Sequence, residues 1–283
     1  MQIIKAEQSS YTIIEEFLKP WEPTCVTLCA KLRKLDDHIY IISNDLQIND
    51  IDDICGVLCI EGTLLHCIPH PDDEILSCFK EFAKDKKIRV ISGKTDVTER
   101  LIMQLQEFQT PAQVNHYTLM TLEQIALPPP EPLSCDDQIF RCTEDNLDIL
   151  LELQKQYLIK EVAPAGKQVT ELECRVSLRQ ILKNQLMFAL YADGELVAKA
   201  NTNAIGWNYV QIGGVYTHPL FRRNYYAWHL LKVLCDRIQK TQKKVALFVK
   251  EKNTPAIKLY EKMGFTAVNH YAIAYFQYGL SVS

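Results

Sequence analysis

The sequence predicts a mixed α+β protein in two parts. Residues 1–127 form a smaller α/β domain, 128–135 a proline-rich linker, and 136–283 a mostly antiparallel sheet flanked by helices. Three observations carry this reading. The run Ala-Leu-Pro-Pro-Pro-Glu-Pro-Leu-Ser-Cys, Ala126 to Cys135, can continue neither a helix nor a central strand, because successive prolines favour polyproline II. The residues after it pattern as strand, two helices, three strands, helix, strand, helix, strand. Within that series, Gly213 to Phe265 holds a strand, a basic turn opening a helix, a second strand and a short helix with a tyrosine on its apolar side.

A chain of 283 residues exceeds the usual single core. Its 47% apolar and 23% charged residues are those of an ordinary globular protein. A net charge of −4 gives no electrostatic footprint for nucleic acid. No apolar run approaches the ~18 residues that span a bilayer, and Met-Gln-Ile-Ile-Lys-Ala-Glu-Gln at the start lacks the apolar core of a signal peptide. The expectation is a cytoplasmic protein with neither nucleic acid nor membrane as partner, its ten cysteines reduced. Cys55, Cys59, His66, Cys67 and His70 are zinc-ligand types close in sequence. Their spacing straddles a Glu61-Gly62 turn between two apolar runs, which reads as a hairpin with core thiols, so no metal is expected.

In the first part, helices are expected near Tyr11–Leu18 and Thr24–Leu35, then a hairpin over Ile54–Ile68. A helix Asp73–Lys84, a strand Ile88–Ser92, a helix Val97–Phe108 and a strand Asn115–Leu122 follow. In the second part, a strand Gln138–Cys142 precedes helices Asn146–Tyr157 and Val169–Asn184, separated by Pro164-Ala165-Gly166. Strands Leu186–Ala192 and Leu196–Ala204 flank Asp193-Gly194, a hairpin turn signal. Tyr209–Thr217 is the third strand, and Ala267–Phe276 closes the series.

The stretch 213–265 carries the functional argument. Gln211–Thr217 is an apolar strand interrupted by Gly213-Gly214, and paired glycines inside a strand mark a bulge or a close backbone approach. A bulge would splay the strand and free the backbone of Val215, Tyr216 and Thr217 for an extended ligand. Arg222-Arg223-Asn224-Tyr225-Tyr226-Ala227 then opens a helix with Ala227, Leu230, Leu231, Leu234 and Ile238 on one face. The amides of 223–227, with the Arg222 and Arg223 side chains, suit an anion. Taken alone, the same turn reads better as a basic, solvated helix start. Val245–Val249 is a short apolar strand. After it, Asn253-Thr254-Pro255 starts a helix with Thr254 as cap and Pro255 at its first position, and Gly264 stops it. Its apolar face is Ala256, Leu259, Tyr260 and Met263.

These pieces, and the string N-x-x-A-x-x-x-Y-x-x-x-G-F from Asn253 to Phe265, resemble the acyl-CoA-binding core of the GNAT superfamily of N-acetyltransferases, over about Asp136–Phe276. The resemblance implies acetyl-CoA as co-substrate. Its pantetheine arm would lie along Val215–Thr217 like an added strand, with its pyrophosphate on residues 222–227. Asn253 and Tyr260 would meet it near the sulfur, with Ala256 also a cofactor-binding residue. The family pattern at the turn is Q/R-x-x-G-x-G/A. This chain keeps Arg222 and Ala227 but places Tyr225 at the inner glycine, where glycine clears the ligand's path and permits positive φ.

The implied reaction is direct acetyl transfer to an amine of a small molecule or peptide. The oxyanion would form against a backbone N–H near Val215, and Tyr260 would protonate the leaving thiolate. No cysteine lies in these motifs to act as an acylated nucleophile, and Cys235 reads as core. No motif names the general base. Glu161, ending the domain's first helix, is the candidate, with Glu195 and His270 more distant, and water-mediated deprotonation needs none of them. The loop at roughly 159–170 would set the acceptor, yet carries neither an aromatic cage nor an acidic cluster. The first part has His-Pro-Asp-Asp-Glu-Ile-Leu where the second has His-Pro-Leu-Phe-Arg-Arg-Asn-Tyr-Tyr-Ala, and acidic residues at a helix start repel a pyrophosphate. It is therefore read as a degenerate GNAT-like half with no cofactor site, able to cap the acceptor face or form a homodimer. Two alternatives stay open: a non-catalytic acyl-CoA-binding regulator, and an interaction scaffold with a vestigial site.

Overall fold

The computed structural model describes residues 1–125, 127–163 and 167–276. Pro164-Ala165-Gly166, expected as a break between helices, and Ala126 of the proline-rich run lie outside them. The first half runs β1 (Gln2–Lys5), α1 (Tyr11–Leu18), α2 (Glu22–Arg33), β2 (Ile39–Ser43), β3 (Ile54–Glu61) and β4 (Thr63–Cys67). It continues with α3 (Asp73–Ala83), β5 (Val90–Lys94), α4 (Thr95–Leu105) and β6 (Pro111–Leu122). The second half runs β7 (Gln138–Arg141), α5 (Leu147–Tyr157), α6 (Glu171–Asn184), β8 (Met187–Ala192), β9 (Glu195–Ile205) and β10 (Tyr209–Thr217). After these come α7 (Tyr226–Gln239), β11 (Lys244–Lys250), α8 (Thr254–Met263) and β12 (Thr266–Phe276). The two halves thus share one order of ten elements.

The twelve strands of the described residues join one sheet, in the order β1-β2-β3-β4-β5-β12-β6-β11-β10-β9-β8-β7. Only β4–β5 and β10–β11 pair in parallel; every other neighbour is antiparallel. The sheet order is palindromic about the β12–β6 pair once each strand is matched to its counterpart in the other half. Each half has given its last strand to the other: β6 lies against β11, and β12 lies against β5. The apolar strand Lys244–Lys250 is buried through Val245, Ala246 and Leu247, so its backbone needs partners on both edges. Met120 and Leu122 of β6 complete the core under α7, while Ala274 and Phe276 of β12 complete the core under α3 and α4.

Two strands were not expected. β1 has only four residues, and Ile39-Tyr-Ile-Ile-Ser43 is a short apolar run without alternation, because both its faces are covered: Ile39 and Ile41 enter one core, Tyr40 and Ile42 another. Such a run has no periodicity to distinguish it from a buried loop or helix segment.

Helix α2 belongs to the first half but packs Val26 against Leu119, Ala204 and Ala246 on the second half's part of the sheet. Glu22, at its start, is fully buried. Its carboxylate accepts the backbone N–H groups of Asn208 and Tyr209 and the Asn208 side-chain amide, at 2.9–3.1 Å. Gly206 leaves the room, since a Cβ there would come within 2.1 Å of Glu22 Oε1. Glu22→Gln would turn an amide N–H₂ toward donors. The expected cost is about 2 kcal/mol, read as a Tm lower by roughly 4–8 °C. An unchanged Tm would show that this carboxylate does not hold the halves together.

Candidate active site

The parallel pairing of β10 with β11 covers only Tyr209↔Lys244 to Ile212↔Leu247. Beyond it the strands part, while β11 stays paired to β6 through Lys250. The cause lies on the other edge. Gly213 faces Asn201 and Tyr216 faces Lys199, so β10 places Gly214 and Val215 where β9 has one residue, a bulge. Gly214 sits at φ +60°, and a Cβ on it would come within 1.8 Å of Asn201 Oδ1. Only glycine meets both demands. Val215, Tyr216 and Thr217 line the resulting cleft.

The chain next turns through Arg223 and Tyr225, both left-handed at φ +70° and +54°. Each costs a non-glycine residue roughly 1–2 kcal/mol. Tyr225 is the N-cap residue of α7, with no side chain capping the first turn. The half-buried Tyr225 and Tyr226 side chains pack on the core under that helix. Arg222 and Arg223 line the cleft, and the Arg222 Nε donates to the Thr217 carbonyl at 3.2 Å. Ala227 and Trp228 also line it, whereas Asn224 does not. Trp228, missed in the sequence, is among the most buried side chains of α7.

The matching place in the first half is closed. The β3–β4 ladder runs without a shift from Val57↔Cys67 to Glu61↔Thr63. His66 fills the space between strands: it lies against Gly93, and its Nε2 is 2.8 Å from Thr98 Oγ1 on α4. Burial pulls its pKa down to about 4, so the plug is neutral. At the start of α3, the Asp72 carboxylate itself accepts the Ile75 N–H, where an anion would otherwise bind. Cys25 and Cys29 are buried with their sulfurs 3.7 Å apart; Cys59 and Cys67 are buried core thiols, and Cys55 is half-buried.

At the far end of the cleft stands α8. Its cap is Asn253, whose side-chain oxygen accepts the Ala256 N–H at 3.3 Å. This corrects the expectation of Thr254 as cap, because Thr254 already has helical backbone and Asn253 precedes it with a longer acceptor. Gly264 ends the helix at φ +100°. Asn253, Ala256 and Tyr260 all line the cleft. Tyr260 is 6% exposed and its ring meets Phe265 edge-on at 5.6 Å. Burial raises its pKa, with smaller contributions from Tyr157 and Glu161, so it is protonated at neutral pH.

Glu161 lies in a π-helical turn, Leu158–Val162, that continues α5, and Lys250 Nζ is 3.5 Å from it. Among the described residues it is the one carboxylate lining the cleft, against Lys160, Arg222, Arg223, Lys250, Lys252, Lys258 and Lys262. Glu195 and His270 do not line it, and His270 is 2.8 Å from Glu251 on the surface. Altogether the cavity encloses about 1040 Å³. Its inner wall includes residues no motif indicated: Thr27 of α2, Ser92 of β5, Tyr117 of β6 and Tyr271 of β12. Thr27 donates to the Gln211 side chain at 3.2 Å, Ser92 and Tyr271 share a 2.9 Å hydrogen bond, and Phe248 stacks on Tyr271 at 3.9 Å. Chemically, the site offers unpaired strand backbone, a basic helix start and a protonated tyrosine in one channel.

Residues 149–265 match the acetyltransferase (GNAT) family. No curated protein sequence matches the chain. Among solved structures, a Drosophila protein is similar over 96% of this chain and 98% of its own, with 11% identity and a TM-score of 0.67. A tandem GNAT protein from the clavulanic acid biosynthesis pathway covers 96% and 97%, with 10% identity and a TM-score of 0.59. A GCN5-related N-acetyltransferase from Sphaerobacter thermophilus covers 96% and 94%, at 15% identity and a TM-score of 0.57. These three likenesses are of fold, and they extend over both halves.

Proposed function

We propose, from the premise that residues 149–265 form a GNAT acetyltransferase domain, that this chain transfers the acetyl group of acetyl-CoA directly to an amine. The observation that carries the proposal is the parting of β10 from β11 at the Gly214 bulge, with a basic helix start at one end and Tyr260 at the other. Pantetheine amides would pair with Val215–Thr217. The pyrophosphate would take the amides of 223–227 with Arg222 and Arg223, the helix dipole adding to the attraction. Asn253 and Ala256 would flank the sulfur.

The acceptor amine would lie on the Glu161 side, where Glu161 takes its proton, directly or through water. An alkyl ammonium with a pKa near 10.4 must lose that proton before attack. The nitrogen then bonds to the thioester carbon, the oxyanion rests on the Val215 N–H, and the C–S bond breaks as Tyr260 protonates the thiolate; the second proton left on the nitrogen returns to the tyrosinate, giving the neutral amide and restoring the acid. A dry site raises the proton affinity of the thiolate as well as that of the tyrosine, so the transfer stays feasible. The test is thiol release from acetyl-CoA across small amines and amino-terminal peptides. Acetylated product with at least one class supports the reading. Tight acetyl-CoA binding with no turnover on any class would favour the regulatory alternative.

Tyr225→Gly gives a separate expectation. Relief of the left-handed strain, about 1 kcal/mol, is offset by lost packing of a half-buried ring, so Tm moves little. Acetyl-CoA affinity should rise severalfold as the ring leaves the cleft. Weaker binding would mean that the ring contacts the cofactor.

A further inference from the structure

A lysine in a protein interior needs a reason, because an ionised amine is costly to bury. Lys199, in the middle of β9, is fully buried, and among the described residues no carboxylate pairs with it. Its Nζ donates to the Gly214 carbonyl oxygen at 3.0 Å and sits 4.3 Å above the Tyr157 ring. The other titratable group acting on it is Cys142, just past β7, and burial pulls the lysine pKa down to about 7.

The Gly214 carbonyl and the Val215 N–H belong to one peptide group. In a trans peptide they point in opposite directions. A donor fixed on the carbonyl from behind therefore aims the N–H away from itself, and Val215 lines the cleft. Hydrogen bonds in such a series polarise one another, more strongly where the dielectric is low. We infer that Lys199 is a positioning residue of the transfer reaction, holding and polarising the Gly214–Val215 peptide so that the Val215 N–H receives the thioester carbonyl oxygen. This rests on the acetyl-CoA reading above.

No bond to Lys199 forms or breaks. The amine nitrogen bonds to the carbonyl carbon, the negative charge appears on oxygen, and it is met by an N–H whose partner carbonyl is already bound. Other groups hold the residues around it: the Tyr157 oxygen interacts with the Gly214 amide, which belongs to the preceding peptide unit, and Asn201 and Asn203 fill the space beside the two glycines. An apolar side chain of similar length would pack at this position without the desolvation cost. Retaining an amine there sacrifices stability, as functional positions do.

The test compares the full chain with Lys199→Met, using acetyl-CoA carrying ¹³C at the carbonyl. Infrared difference spectra read the thioester stretch of the bound cofactor, calorimetry its affinity, and thermal melting the fold. In the unaltered protein the stretch should fall below its value in water. In Lys199→Met it should return toward that value, with affinity within about threefold, Tm equal or higher, and turnover down about tenfold. Lys199→Gln, which keeps a neutral donor, should give an intermediate frequency. Equal frequencies in the unaltered protein and Lys199→Met overturn the inference while leaving the acetyl-CoA reading intact. Loss of fold in both variants overturns it as well, showing a structural lysine. Failure of the unaltered protein to bind acetyl-CoA overturns both.

Discussion

Tyr260→Phe is expected to lower acetyl transfer about 10²–10³-fold, within the range of a lost general acid, while acetyl-CoA affinity stays within about twofold. The ring keeps its place, since its edge contact with Phe265 and its burial in the core under α7 involve carbon. Only the hydroxyl is removed, at the one point where a proton must reach the departing sulfur. Burial raises the pKa of that hydroxyl, so it stays protonated across the neutral range. The activity of the variant should therefore fall throughout that range rather than shift its optimum. Parallel rate and affinity measurements decide the matter. Equal losses in both would make Tyr260 a binding residue, and no loss in either would remove it from the mechanism.

The second large effect is expected at Gly214. Alanine there meets two obstacles, a φ of +60° and a Cβ within 1.8 Å of Asn201 Oδ1. Strain alone costs about 1–2 kcal/mol, and the clash forces either the bulge or β9 to move. Together they should destabilise the fold by about 2–4 kcal/mol and weaken acetyl-CoA binding at least tenfold, because straightening the bulge closes the gap to β11. Gly194→Ala is the control. Its φ of +77° is as unfavourable, yet nothing lies within 4 Å of the added carbon. It should lose about 1 kcal/mol and bind acetyl-CoA normally. If both variants behave alike, the bulge has no special part in the cleft.

Legibility of the site followed the range of the interactions that make it. Asn253, Ala256, Tyr260 and Gly264 lie within twelve residues and one helix, so their shared face is a matter of helical period. Gly213-Gly214 and the arginines of the next turn are likewise local. The inner wall is different: Thr27, Ser92, Tyr117 and Tyr271 come from four elements spread over both halves. They meet because β6 and β12 exchange places, and no periodicity encodes which strand pairs with which. Asn253 and Thr254 are both good caps, and only the backbone decided between them. Lys199 gave no signal at all. In sequence it is an alternating residue of a hairpin strand, and its burial depends on Tyr157 and Gly214 closing over it. The repeat itself was half visible. With β1 and β2 unread, the first half lacked the opening strand and the strand beside it that make the correspondence complete.

The central claim is that the cleft between β10 and β11 holds acetyl-CoA, and calorimetric titration of the full chain tests it most directly. Acetyl-CoA, free CoA and dephospho-CoA would be compared in a protein shown to be folded by a cooperative melt. The account predicts one site per chain with ~micromolar affinity for acetyl-CoA and CoA alike, since the bulge backbone and the helix start recognise the part they share. No binding of any of the three by folded protein would contradict it and leave the chain with a cofactor fold whose site is empty of function.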